Sequence, residues 1–242
     1  MFRKILYLIR YCPNKNIIIS FIKTKIYNFL SYKKKKIKKL FYNNIKNKKF
    51  TQDWFSSNSF HFYEEINKKN INKYKKTYNY LEIGCFEGLS TLFILKNFKK
   101  IKAYCVDKWN LNSNYAVHEK KIIQQLNLDF KKAEENFNYN LYEFKNRYKK
   151  FKMESKTFFQ KNNKKFDVIY LDGSHSYETF KNDITKSWKF LKNNGLLIID
   201  DIFWNEENKK YIEALYEFLI NTRRNYKILR TTNTQCFIEK NN

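Results

Sequence analysis

The chain has 242 residues, a formal charge of +26, 43% apolar residues, four glycines and one proline. That is enough apolar sequence for one domain with a real core, and it excludes a disordered or collagen-like chain. No apolar run approaches the ~20 residues a membrane-spanning helix needs, and no small-residue cleavage pattern marks a secretory leader. The four cysteines (12, 85, 105 and 236) lack metal-ligand or disulfide-framework spacing. Cys85, Cys105 and Cys236 lie in or beside apolar runs and read as buried thiols, and a reducing compartment fits. The expected setting is cytoplasmic, with peripheral contact at a membrane surface left open.

The charge is uneven. Residues 1–50 hold thirteen Lys, two Arg and no acid, which is +15 of the +26 and leaves +11 for the remainder. The abundance of Lys, Asn, Ile and Phe has the look of a drift toward A- and T-rich codons. Scarce residues such as Gly, Trp and His therefore carry more information than lysine counts. Ile18, Ile22, Ile26 and Leu30 recur every four residues, and Ile37, Phe41 and Ile45 continue after a lysine run. This spacing predicts one or two amphipathic helices over 14–47, set apart by Pro13 from the opening "MFRKILYLIRY". Residues 1–49 thus form a basic, helical extension to a domain at 50–242. Two uses stay open for it: a cap packed on the domain, or an arm for nucleic acid or anionic membrane.

From residue 78 the pattern alternates. "YNYLEI", "IKAYCVD", the weaker "RYKKFKM", "FDVIYLD" and "GLLIIDD" read as strands. "GLSTLFILKNF", 114–140, "SKTFFQKN" and "SYETFKNDITKSWKFLKN" read as helices, with a loop near 110–114. Tyr211, Leu215, Phe218 and Thr222 mark another helix, and "YKILRTTNTQCFIEK" reads as two closing strands. Strands alternating with helices mean a mostly parallel sheet covered on both faces, a three-layer α/β/α Rossmann-like architecture; the helix-free closing pair means an antiparallel edge. In such sheets ligands bind beyond the carboxyl ends of the strands. The residues there are "EIGCFEG", "VDKW", "MES", "LDGSH" and "DDIFW".

Two of the four glycines, Gly84 and Gly88, sit in the first of these. Gly84 turns the chain out of the strand, and Gly88 opens a helix whose first N–H groups lack partners. The spacing Glu82-x-Gly84-x-x-x-Gly88 is neither the G-x-G-x-x-G of dinucleotide sites nor a P-loop. Glu82 and Glu87 would repel a pyrophosphate. Asp107 ends the next strand, where a carboxylate can accept two hydrogen bonds from a ribose diol. The combination favours a nucleoside ligand.

On these residues the sequence resembles class I S-adenosylmethionine-dependent methyltransferases. "LEIGCFEG" is similar to their first motif and "VDKW" to their second. "FDVIYLDGSHSYE…W…L…GLLIIDD" resembles the small-molecule and glycan O-methyltransferase branch called methyltransferase family 24, and "FTQDWFSSN" at 50–58 its pre-core segment. The resemblance covers about residues 50–240 and implies a seven-stranded sheet with an antiparallel last strand. It implies S-adenosylmethionine as cofactor, against the backbone of Gly84, Cys85, Phe86 and Gly88 and near Ser90. Glu82 would lie beneath the methionine part and Asp107 would hold the ribose. Lys108 and Trp109 would flank the adenine, with Glu154 and Ser155 at its polar edge and Asp172 nearby. For catalysis it implies Asp172 and His175, the latter as base on the acceptor hydroxyl. Metal-dependent relatives use strand-end acids, here Asp172, Asp200 and Asp201, for a Mg2+-class cation; Asp201 departs from their usual Asn.

The expected activity is O-methylation of a small-molecule or glycan hydroxyl. The alternatives are an RNA methyltransferase of the same fold and a non-catalytic basic module at a membrane or scaffold. Against base methylation of RNA stands "DGSH", which differs from the Asn/Asp-Pro-Pro-Tyr loops of enzymes acting on base nitrogens. Acceptor choice is expected in residues 50–75, 110–140 and 202–210, where no code is legible.

Overall fold

The structure is a computed structural model that describes residues 1–71, 76–110, 117–203, 209–222 and 225–242. Seven strands form one sheet: β1 (Tyr78–Ile83), β2 (Ile101–Asp107), β3 (Tyr148–Lys152), β4 (Phe166–Leu171), β5 (Leu191–Ile199), β6 (Tyr226–Thr231) and β7 (Cys236–Lys240). Their order is β3-β2-β1-β4-β5-β7-β6, with β7 antiparallel to both of its neighbours and the other pairings parallel. This is the Rossmann-like three-layer arrangement with an antiparallel last strand. The strand order reverses between β1 and β4, so the crevice beyond their carboxyl ends is the natural ligand position.

The central strands are apolar on both faces because helices cover both. Leu81, Ile83, Ile169, Leu171, Leu197 and Ile199 face one core. It is closed by α1 (Phe2–Tyr11), α2 (Lys15–Leu30), α8 (Ser155–Lys161), α9 (Tyr177–Phe190) and α10 (Lys209–Asn221). The alternate residues Tyr80, Ala103, Cys105, Val168, Tyr170, Leu196 and Ile198 face the other. There the cover is α3 (Lys33–Ile45), α4 (Ser59–Lys68), α5 (Leu89–Asn97) and α7 (Phe130–Leu141). The period-two alternation in the sequence is thus the division between two cores.

The extension is built into both. Leu8, Cys12, Ile17 and Phe21 are buried in the first core, and Ile37 and Phe41 in the second. Pro13 separates α1 from α2, and Asn14 caps α2 by accepting from the amides of Asn16 and Ile17. The helical stretch expected over 114–140 is two helices, α6 (Val117–Gln125) and α7, because Asp129 caps α7 through the Lys132 amide. Residues 111–114 of the expected loop lie outside the described residues. Helix α4 carried no sequence expectation; Glu65 on it accepts from Arg230 of β6 at 2.6 Å, both buried, which ties it to the sheet edge.

Gly84 leaves β1 at φ +85, and a Cβ there would lie 1.9 Å from the Asp172 carbonyl oxygen. Left-handed backbone and contact with main chain together leave no room to relax. Gly84→Ala should therefore lower unfolding free energy by more than about 2 kcal/mol, read by urea denaturation.

Candidate active site

The turn after β1 is held from the side by β2. Asp107 Oδ2 accepts the backbone N–H groups of Cys85 and Phe86, both at 2.9 Å, and its Oδ1 accepts the Trp109 amide at 2.9 Å. Trp109 returns the contact: its indole N–H donates to the Phe86 carbonyl at 2.7 Å. Phe86, Gly88 and Trp109 all have positive φ, at 44, 77 and 43°. The turn is therefore a tight, cross-braced cradle at the end of two adjacent strands. A carboxylate offers about four lone-pair positions; three amides are placed on Asp107, and the residue is only partly buried. Helix α5 starts at Gly88 with no side-chain cap.

Glu82 sits beneath this turn, fully buried, and accepts from the hydroxyls of Tyr80 at 2.8 Å, Thr91 at 2.7 Å and Ser90. Burial pushes its pKa up to about 7 against the pull of these hydroxyls. Glu87, also buried, accepts from the Thr51 amide (2.6 Å) and hydroxyl (3.1 Å) and from the Asn136 amide group (2.7 Å). That bond and the stacking of Trp54 on Phe86, ring centres 5.0 Å apart, bind the segment before the core to the turn.

The other expected cofactor residues spread out. Trp109 is buried, with its ring taken up by Phe137 at 4.9 Å and by the Lys150 ammonium at 4.6 Å, so it braces the turn from within. Lys108 is half-buried beside it, and Glu154 is exposed at the start of α8. The Ser155 hydroxyl is engaged with Asp183 of α9.

The second group lies at the ends of β4 and β5. Asp200 is nearly fully buried and accepts from Asn58 (3.1 Å), Gln235 (2.8 Å), its neighbour's amide at Asp201 (2.8 Å) and the Tyr170 hydroxyl. Tyr170 is also 3.1 Å from Asp172. Burial, with Asp201 adding to it, raises the Asp200 pKa to about 7, and burial with both neighbouring acids raises that of Asp172 well above the usual range. Asp201 has φ 54 and meets His175 Nε2 at 3.1 Å. The His175 ring packs 5.3 Å from Tyr211. Asp172, Asp200, Asp201 and His175 lie together at these strand ends, and among the described residues no group of three or more His, Cys, Asp or Glu is placed to hold a metal. Asp200 is spent on four donors inside the protein, so this set does not fit a Mg2+-class ion as arranged. Asn58, Gln235 and Tyr170 were given no role in the sequence; Glu87 was noted there only as an acid that would repel a pyrophosphate, not as an anchor for Thr51 and Asn136. Residues 72–75, 111–116 and 204–208, within the three stretches expected to choose the acceptor, lie outside the described residues.

This sheet order, with a braced glycine turn at its switch point and acids at the ends of β4 and β5, defines a Rossmann-like methyltransferase. Residues 81–202, just over half of the chain, match the methyltransferase domain family 24. The chain belongs to that family. No curated protein sequence matches it. Solved structures share the fold at low identity. MycE, from the mycinamycin biosynthetic pathway and solved with Mg, S-adenosylhomocysteine (SAH) and mycinamycin VI, superposes with TM-score 0.55 at 15% identity over 85% of this chain and 54% of its own. The SAH-bound methyltransferase PaMTH1 of Podospora anserina gives 0.53 at 13% over 88% and 98%. A Clostridium thermocellum protein assigned as an rRNA methylase gives 0.53 at 14% over 74% and 96%.

Because the folded pKa of Glu82 is raised above its ordinary 4.5 to about 7, the folded state holds that proton more tightly. The resulting stabilisation is complete below pH 4.5 and is lost as pH rises through 7. Unfolding free energy, from urea denaturation between pH 5 and 8, should fall more steeply in the wild type than in Glu82→Gln, the difference amounting to no more than about 3 kcal/mol.

Proposed function

We propose that this protein transfers a methyl group from S-adenosylmethionine to a hydroxyl of a small molecule or glycan. The observation that carries the reading is His175, held by the Asp201 carboxylate beside Asp172, at the switch-point end of the sheet that also carries the Asp107-braced turn. The residues present fit the cofactor. Asp107 retains acceptor capacity for a ribose hydroxyl, and the uncapped start of α5 places N–H groups beside a turn that only glycine allows. Bound there, the cofactor supplies a methyl already activated by the sulfonium charge.

The protein's part is alignment and proton handling. Gly84 to Gly88 present main chain to the methionine portion, and Asp107 holds the ribose while keeping the turn in shape. Glu82 supports the turn from below through Ser90 and Thr91. His175, oriented by Asp201, removes the acceptor hydroxyl proton as the oxygen attacks. Asp172, whose pKa burial and its neighbouring acids raise well above the usual carboxyl range, lies beside His175 and helps position the acceptor.

Labelled-methyl transfer should occur to sugar or phenolic hydroxyls; transfer confined to RNA would overturn the proposed acceptor class. His175→Ala should lower turnover by about 10²–10⁴ with SAH affinity by calorimetry unchanged, and wild-type turnover would remove it as base. Asp107→Asn should weaken SAH binding at least about tenfold, with circular dichroism checking that the fold is kept.

A further inference from the structure

We propose that α1 and α2 dock this protein on an anionic membrane surface. Helix α1 turns Tyr7 and Leu8 into the core. On its opposite side Phe2, Leu6 and Ile9, exposed by 73, 49 and 52%, follow at i, i+4 and i+7. At 3.6 residues per turn these three form one narrow outward ridge. Helix α2 repeats the arrangement. It buries Ile17, Ser20, Phe21 and Thr24 and exposes Ile19, Ile26 and Leu30 along the opposite side, with Phe29 beside them. Both helices have already spent one apolar face on the domain, so the outward ridges are surplus to folding. Rows of large apolar side chains left in water on two successive helices mark an interaction site.

The surrounding charge selects the partner. The first fifty residues carry fifteen cations and no acid. Arg3 and Arg10 flank the ridge on α1, and Lys15 and Lys23 the ridge on α2. A groove of about 410 Å³ between α2 and β6 opens beside Ile19 and carries Lys23 and Lys227 on its lining, with room for a headgroup. Apolar ridges on a segment with fifteen cations and no acid of its own match acyl chains beneath anionic headgroups. Nucleic acid would use the cations and leave the ridges in water.

The inner faces of the same two helices border the acid cluster. Tyr7 and Phe21 pack on Phe203, two residues beyond Asp201, with ring centres 5.9 and 5.5 Å apart. Lys4 and Lys25 both donate to Asn233, in the turn whose Gln235 bonds Asp200.

The test is flotation of the full chain with vesicles of phosphatidylcholine alone or with phosphatidylserine, with an RNA-binding assay in parallel. Wild type should bind the anionic vesicles at least about tenfold more tightly than the neutral ones, and less tightly as salt rises. The triple variant Phe2→Ser, Leu6→Ser, Ile9→Ser keeps the charge and touches no buried side chain, so it should melt as wild type and lose at least about tenfold in vesicle affinity. Equal binding by the triple variant, absence of vesicle binding by folded wild type, or binding of RNA with vesicles ignored would each overturn the proposal.

Discussion

One carboxylate organises the candidate site. Asp107, at the end of β2, draws the amides of Cys85 and Phe86 toward it and so fixes the turn that leaves β1. That bond offsets the strain of the left-handed backbone at Phe86. The Trp109 indole, buried behind it and bonded to the Phe86 carbonyl, makes the link reciprocal. The same geometry puts an acidic group and a row of main-chain N–H groups at the switch point of the sheet, where the family's chemistry belongs.

A second set of buried acids attaches the periphery to this centre. Glu87 holds Thr51 and Asn136, and Asp200 holds Asn58 and Gln235. Thr234 adds a bond to Asn58 from the β6–β7 turn at 2.6 Å. The segment before the core is thus pinned at both of its ends by carboxylates from the strand ends. Burial of these acids has a cost that their hydrogen bonds offset only while the bonds are all made. The neighbourhood is consequently rigid, which suits a reaction that depends on alignment more than on acid–base strength.

The strands were legible because their apolar runs are long and their terminal acids conspicuous in a chain so poor in glycine. The family motifs at Glu82–Gly88, Asp107 and Asp172–His175 were legible for the same reason. Helix α4 was not: its buried positions include Ser59, His61 and Glu65, so its inner face does not read as apolar. The inward turn of Asp200 was also invisible, since its partners Asn58 and Gln235 stand 142 and 35 residues away in sequence. Trp109 reads from sequence as a residue beside a ligand, yet packing against Phe137 places it inside. Periodicity found the helices of the extension, but not that one set of faces would be buried and the other left apolar toward solvent.

The most direct measurement is a crystal structure of the full chain grown with SAH. The account places the ribose hydroxyls within hydrogen-bond distance of Asp107, the methionine portion along Gly84 to Gly88, and the sulfur facing His175. Density for the ligand elsewhere on the protein, with the Asp107 carboxylate still turned wholly onto its own turn, would contradict it.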